Sequence, residues 1–100
     1  MNKVEYHRQT AKEQRALPSQ VASRFRVIEE ALKTDDVRAP GLAHKREQGW
    51  GRRTMLVGHA THQGTTYRMA WEVRSPTEAL IWAYGPHEGF YRKLARRARQ

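Results

Sequence analysis

The sequence predicts a two-layer α+β domain in the order β-α-α-β-β-β-α. Three observations predict it. An apolar stripe at helical spacing, Val21, Phe25, Ile28 and Leu32, lies in the first third of the chain. An alternating segment at residues 67–73 and a nearly all-apolar one at 79–84 lie in the last half. Turn-forming residues separate these segments. An antiparallel sheet packed on one side by an αα-hairpin satisfies all three. The opposite sheet face is then left open as a binding surface.

Each element has its own signal. Val4-Glu5-Tyr6 reads as a short N-terminal strand. Thr10-Ala11-Lys12-Glu13 has the spacing of a capping box, so a short helix should run to Leu17, where Pro18 stops it. Ser19 reads as the N-cap of a second helix of about 14 residues, which carries the apolar stripe and ends near Thr34-Asp35-Asp36. Pro40, Gly41, Gly49 and Gly51 break the pattern over 39–51, which reads as a cationic loop. Residues 54–57 are the next strand. In the strand at 67–73, Tyr67, Met69, Trp71 and Val73 share one face, and Arg68, Ala70 and Glu72 the other. The strand at 79–84 reads as central, buried on both faces. His62-Gln63-Gly64 and Ser75-Pro76-Thr77 supply the turns, and Gly85-Pro86 ends the last strand. Residues 87–99 read as a terminal helix with Phe90, Leu94 and Ala98 on one side.

Composition narrows the function. One hundred residues make a single domain, 1–100, with room for one core. Apolar residues at 38% are too many for a disordered chain. The chain has no Cys, hence no disulfide, thiolate nucleophile or zinc ribbon, which fits a reducing cytoplasm. No apolar run approaches a membrane span, and the N-terminus does not read as a signal peptide. The net charge is +9, and 14 of the 19 cations are Arg. Arg forks onto phosphate and stacks on bases, so a polyanion partner is expected, although solubility alone is the competing explanation. The excess lies beyond residue 38: the first 38 residues hold eight cations against six anions.

Cleaving a phosphodiester without a metal takes a base, an acid and cations to hold the phosphate. His, Tyr, Glu, Lys and Arg suffice, and no carboxylate cluster suggests metal catalysis. No cofactor is expected. Gly85-Pro86-His87-Glu88-Gly89-Phe90-Tyr91 is the sharpest feature. His87 falls where the last strand turns into the last helix, and Tyr91 follows four residues later on the same helical face. A polar helix start with Tyr91 in the core is the competing reading. Arg68 is a phosphate clamp, a solvated residue or a partner for Glu72. His44, Lys45 and Arg46, with Arg52 and Arg53, form a loop suited to gripping a nucleic-acid backbone, or a solvated charge run. Arg92 and Lys93 add charge on the last helix. His59 reads as a polar turn residue, and His7 as structural or exposed. Trp50 either stacks on a base or anchors its loop on the core.

These residues resemble the RelE/ParE superfamily of bacterial toxins from type II toxin–antitoxin modules. The resemblance runs from Val4-Glu5-Tyr6 and the helical hairpin turning at Leu17-Pro18, through Tyr67-Arg68-x-x-Trp71-x-Val73, to Gly85-Pro86-His87 and Tyr91. It implies a microbial-RNase-like fold, ribosome-dependent cleavage of mRNA in the cytoplasm, and a cognate antitoxin protein as partner. By the same resemblance Arg68 contacts the scissile phosphate, His87 transfers a proton, and Tyr91 stacks on or activates the substrate. His62 falls near a second His of the YafQ-like branch, and His44 and Lys45 near loop residues of similar type. The sequence departs from RelE itself: Thr54-Met55-Leu56 stands where a Lys-x-Lys is expected, and His87-Glu88 where an Arg-rich run is expected. The chemistry then leans on histidine, as in the YafQ and HigB type. Two other classes stay open: a ParE-like toxin that inhibits DNA gyrase and cuts nothing, and a non-enzymatic basic nucleic-acid-binding domain. The His87/Tyr91 pair favours the nuclease, since a pure binder needs no such pair.

Overall fold

The computed structural model describes residues 1–38 and 45–99. In chain order the elements are β1 (Lys3–Tyr6), α1 (Thr10–Arg15), α2 (Ser19–Thr34), β2 (Lys45–Glu47), β3 (Thr54–His62), β4 (Thr65–Ser75), β5 (Glu78–Pro86) and α3 (Phe90–Ala98). The sheet order is β1-β5-β4-β3-β2. From β2 to β5 the chain is an antiparallel meander. β1 pairs with β5 in parallel, Val4 opposite Ala79, so the sheet is mixed rather than antiparallel throughout. The α1–α2 hairpin carries the chain across to the far edge, and the meander then returns β5 to β1.

The α+β class and the order of elements are those the sequence predicts. β2 is an added strand: Lys45–Glu47, expected within a loop, pairs with Met55–Val57. Its three residues are too few for a period to register. β3 runs on from residue 57 to His62, where Gln63 and Gly64, at φ 51° and 79°, make the tight turn into β4. Right-twisted strands favour such a two-residue turn.

The stripe on α2 behaves as its spacing requires. Val21, Phe25, Ile28 and Leu32 are buried against Leu56, Met69, Trp71, Ile81 and Tyr84. Full burial of side chains this size contributes about 1.5–3 kcal/mol each. The Trp71 indole N–H donates to the Val37 carbonyl at 3.1 Å, which sets the chain leaving α2 onto the core.

The opposite sheet face is not open along its length. Phe90, Leu94 and Ala98 of α3 pack on Met55, Val57, Ala70 and Ala83. This second core makes the domain three-layered over half the sheet. A β-bulge serves it: Ala70 pairs with Ala83 and Trp71 with Ile81, which leaves Trp82 without a partner in β4. Trp82 and Ala83 therefore both turn to the α3 side, and Tyr84 returns to the α2 core. What remains open is the end of this face beside the first turn of α3.

Candidate functional site

Three side chains meet at that open end. Arg68 projects from β4 opposite His59 of β3. Its neighbours Tyr67 and Met69 face the α2 core, so alternation sends Arg68 to the α3 side. His87 follows β5 and is fixed by its backbone N–H, which donates to the Thr66 carbonyl at 2.7 Å. α3 begins at Phe90 rather than at His87, because Gly89 takes a left-handed φ of 77° that redirects the chain. His87 thus lies before the helix, and Tyr91 in its first turn. The Arg68 Nε donates to His87 Nδ1 at 3.0 Å. The Arg68 guanidinium also lies 5.6 Å from the Tyr91 ring centre, and the His87 and Tyr91 rings stand nearly perpendicular, 6.2 Å apart. Because Nδ1 accepts, the proton of the neutral His87 ring sits on Nε2.

The surrounding concavity is lined by Lys45, Glu47, Val57, His59, Thr61, Thr66, Arg68 and Tyr91. β2 supplies Lys45 and Glu47: they pair with Val57 and Met55, so all four share the α3 face. Tyr91 and Glu47 share this lining, and the Glu47 carboxylate acts on the phenol. Burial, followed by the Glu47 carboxylate, pushes the phenol up to about 12 against the opposing pull of Arg68. Tyr91 is therefore a neutral hydrogen donor across the physiological range.

The other expected residues divide. His62 ends β3 with Ala60 on the α2 side of the sheet, in a groove with Ser19, Val21 and Arg24, and is not brought to Arg68. Arg46 pairs with Leu56, so it faces away from the concavity. Arg52 is exposed in the turn before β3, and Arg92 is exposed on α3. His44 lies outside the described residues. Arg53 is held inside the molecule: its guanidinium pairs with Glu72 at 2.7 Å, donates to the Ala98 carbonyl, and lies over the rings of Trp50 and Trp82. Trp50 anchors its loop on the core, with Arg99 4.2 Å above its ring centre. His7 is half-buried, its ring 5.5 Å from that of Trp82.

Lys93 is also committed to the fold. Its ammonium reaches Glu13 of α1 at 2.7 Å and the Tyr84 carbonyl at 2.7 Å. Arg97 forks onto the same carboxylate at 2.9 and 2.7 Å, and Glu13 accepts the Tyr84 N–H as well. The capping box is accordingly not made. Thr10 Oγ1 donates back to the His7 carbonyl, and two cations draw Glu13 across to α3. Burial alone would raise the Glu13 carboxyl, but the bonds from Arg97, Lys93 and Tyr84 outweigh it and hold the group below its ordinary value. Among the described residues no group of three or more His, Asp or Glu side chains is arranged to hold a metal ion, and no helix is long and apolar enough to cross a membrane.

No protein-family model matches the chain, and no curated protein matches it. Among solved structures, the archaeal RelE–RelB complex from Pyrococcus horikoshii OT3 is similar to it, with a TM-score of 0.59 over 85% of this chain and 93% of that one, at 19% identity. The fold is RelE-like. On this RelE-like scaffold Arg68, His87, Tyr91 and Lys45 gather at the open end of the sheet. Sequence reasoning missed Glu47 and misplaced His59. The one signal for Glu47 was an acidic residue closing the otherwise cationic Lys45-Arg46 run. For His59 it was the continuation of β3 past residue 57, hidden by Gly58.

Proposed function

We propose that this chain is the toxin of a type II toxin–antitoxin module and an endoribonuclease that cuts mRNA on the ribosome by metal-free acid–base chemistry. The observation that carries the reading is the contact of one guanidinium with both an imidazole and a neutral phenol, at the open end of a RelE-like sheet. The partners of this reading are the ribosome with its mRNA and a cognate antitoxin. The complex of the similar RelE with RelB supports the last of these.

The residues suit the steps. In the free protein Arg68 masks the lone pair of His87 Nδ1. A substrate phosphate competes for the guanidinium, since a charge-assisted bond to phosphate is the stronger one. The unmasked Nδ1 then takes the proton of the 2′-hydroxyl, and the 2′-oxygen attacks phosphorus. The bond from phosphorus to the 5′-oxygen breaks, and Tyr91 gives its proton to that oxygen. A phenol near 12 is a stronger acid than the alcohol it protonates, so the transfer runs downhill. Arg68 balances the charge that builds on the phosphate, and Lys45 adds to the local field. The products are a 2′,3′-cyclic phosphate and a 5′-hydroxyl, and water returns the displaced protons.

The test is single-turnover cleavage of an mRNA bound to ribosomes. His87→Ala abolishes cleavage, and Arg68→Ala slows it by about 10²–10³-fold. Both side chains are at least partly exposed, so the variants keep the fold, checked by circular dichroism. Cleavage by Arg68→Ala within twofold of the wild type, or growth arrest with damaged DNA and intact mRNA, overturns the reading.

A further inference from the structure

The geometry points to a second anion site, separate from the Arg68 centre, that takes the phosphate backbone of single-stranded RNA. It lies where the approach to α1 meets the outer side of α3, in a concavity lined by His7, Arg8, Gln9, Lys93, Arg96 and Arg97. It shares no residue with the concavity around Arg68.

Four full positive charges line it, and one carboxylate, Glu13, answers them. Glu13 is already occupied by Lys93, Arg97 and the Tyr84 amide. Arg97 is further bound by the Gln9 side chain and the Trp82 carbonyl. Lys93 and Arg97 thus form a fixed cationic floor. Arg8 and Arg96 are exposed and make no hydrogen bond or ion pair among the described residues. They are free to fork onto phosphate. His7 registers the field: burial, then Arg97 and Arg8, hold its imidazole below the ordinary value.

The chemistry of the lining favours RNA over an acidic peptide. All six side chains are polar, so a protein segment finds no apolar surface there on which to anchor. The lining instead carries one aromatic ring, His7, half-buried and 5.5 Å from the Trp82 ring of the core behind it. A basic groove beside an aromatic ring is the arrangement that binds single strands without regard to sequence. The site does not depend on the cleavage reading, because it binds strand and leaves the reacting atoms untouched.

The test is equilibrium binding of a fluorescent single-stranded RNA oligonucleotide, ribosomes absent, from about 50 to 300 mM salt. Arg8→Ala/Arg96→Ala is compared with Arg15→Ala/Arg26→Ala, a pair of equal charge loss on the exposed helical hairpin. Losing two phosphate contacts lowers the salt slope by about 1.4 and the affinity roughly 25-fold at 0.1 M salt, while the control pair stays within about twofold. Equal losses in the two pairs show bulk charge alone and overturn the site. Unchanged RNA binding by Arg8→Ala/Arg96→Ala, with lost binding of poly-glutamate, overturns it in favour of an acidic protein. Cleavage on ribosomes is a separate measurement, so either claim can fail without the other.

Discussion

Tyr91 sits between a carboxylate and a guanidinium, and burial together with the carboxylate outweighs the guanidinium. Burial and Glu47 favour the neutral phenol, and Arg68 opposes them. Removing the negative charge takes away the second of the two raising causes: in Glu47→Gln, Tyr91 ionises at a lower pH than the value near 12, read from the tyrosine ring carbon by NMR. An unchanged titration contradicts the assigned contact. The same variant retains cleavage if Glu47 only positions the phenol, whereas Tyr91→Phe loses the proton donor and falls by about 10²–10⁴-fold. His87 and Tyr91 were singled out as sharing one helical face but meet instead across the Gly89 turn before α3, whereas Arg68 was legible because strand alternation is local. Glu47 and His59 were not, because each reaches the site through strand pairing, Glu47 opposite Met55 and His59 opposite Arg68. A single sequence does not display that register.

α3 is the element on which the site depends, since it carries Tyr91. Phe90, Leu94 and Ala98 fix its inner face, and the Glu13 carboxylate ties its outer side to α1 and β5. In Glu13→Gln, Lys93 and Arg97 lose their counter-charge; both are mostly buried, at 23% and 11% side-chain exposure. Breaking such a pair costs about 3 kcal/mol. Thermal melting should therefore drop on the order of 15 °C. The pH dependence has a definite sign. A carboxyl lowered by folding stabilises above its unfolded pKa, about 4.3. That contribution is lost as pH falls through the lowered folded value. Wild-type stability should fall in this acid window, and Glu13→Gln should show a flatter profile there. Parallel profiles contradict the clamp. The sequence misdirected the start of α1, which supplies this clamp. Thr10 and Glu13 have the capping-box spacing, but two cations about 80 residues on outcompete one backbone N–H for the carboxylate.

Across the whole molecule, the net charge of +9 is less available than it looks. Arg53, Lys93 and Arg97 serve the fold, and Arg99 caps Trp50. Lys45 and Arg68 line the open end of the sheet and Arg8 and Arg96 the second concavity, while Arg46, Arg52, Arg92 and hairpin cations such as Arg15 and Arg26 stay exposed outside both. The architecture was legible where periodicity was long, as along α2, β4 and β5. It was illegible where a strand was three residues long, or where the sheet face expected to be open proved half covered by α3. The half that stays open holds the Arg68–His87–Tyr91 centre. The chemistry assigned to that centre leaves a signature in the RNA ends. Mapping the new termini of an mRNA cut on ribosomes should find 5′-hydroxyls facing 2′,3′-cyclic phosphates, and none with His87→Ala. Ends bearing 5′-phosphate, or undiminished cutting by His87→Ala, would contradict it.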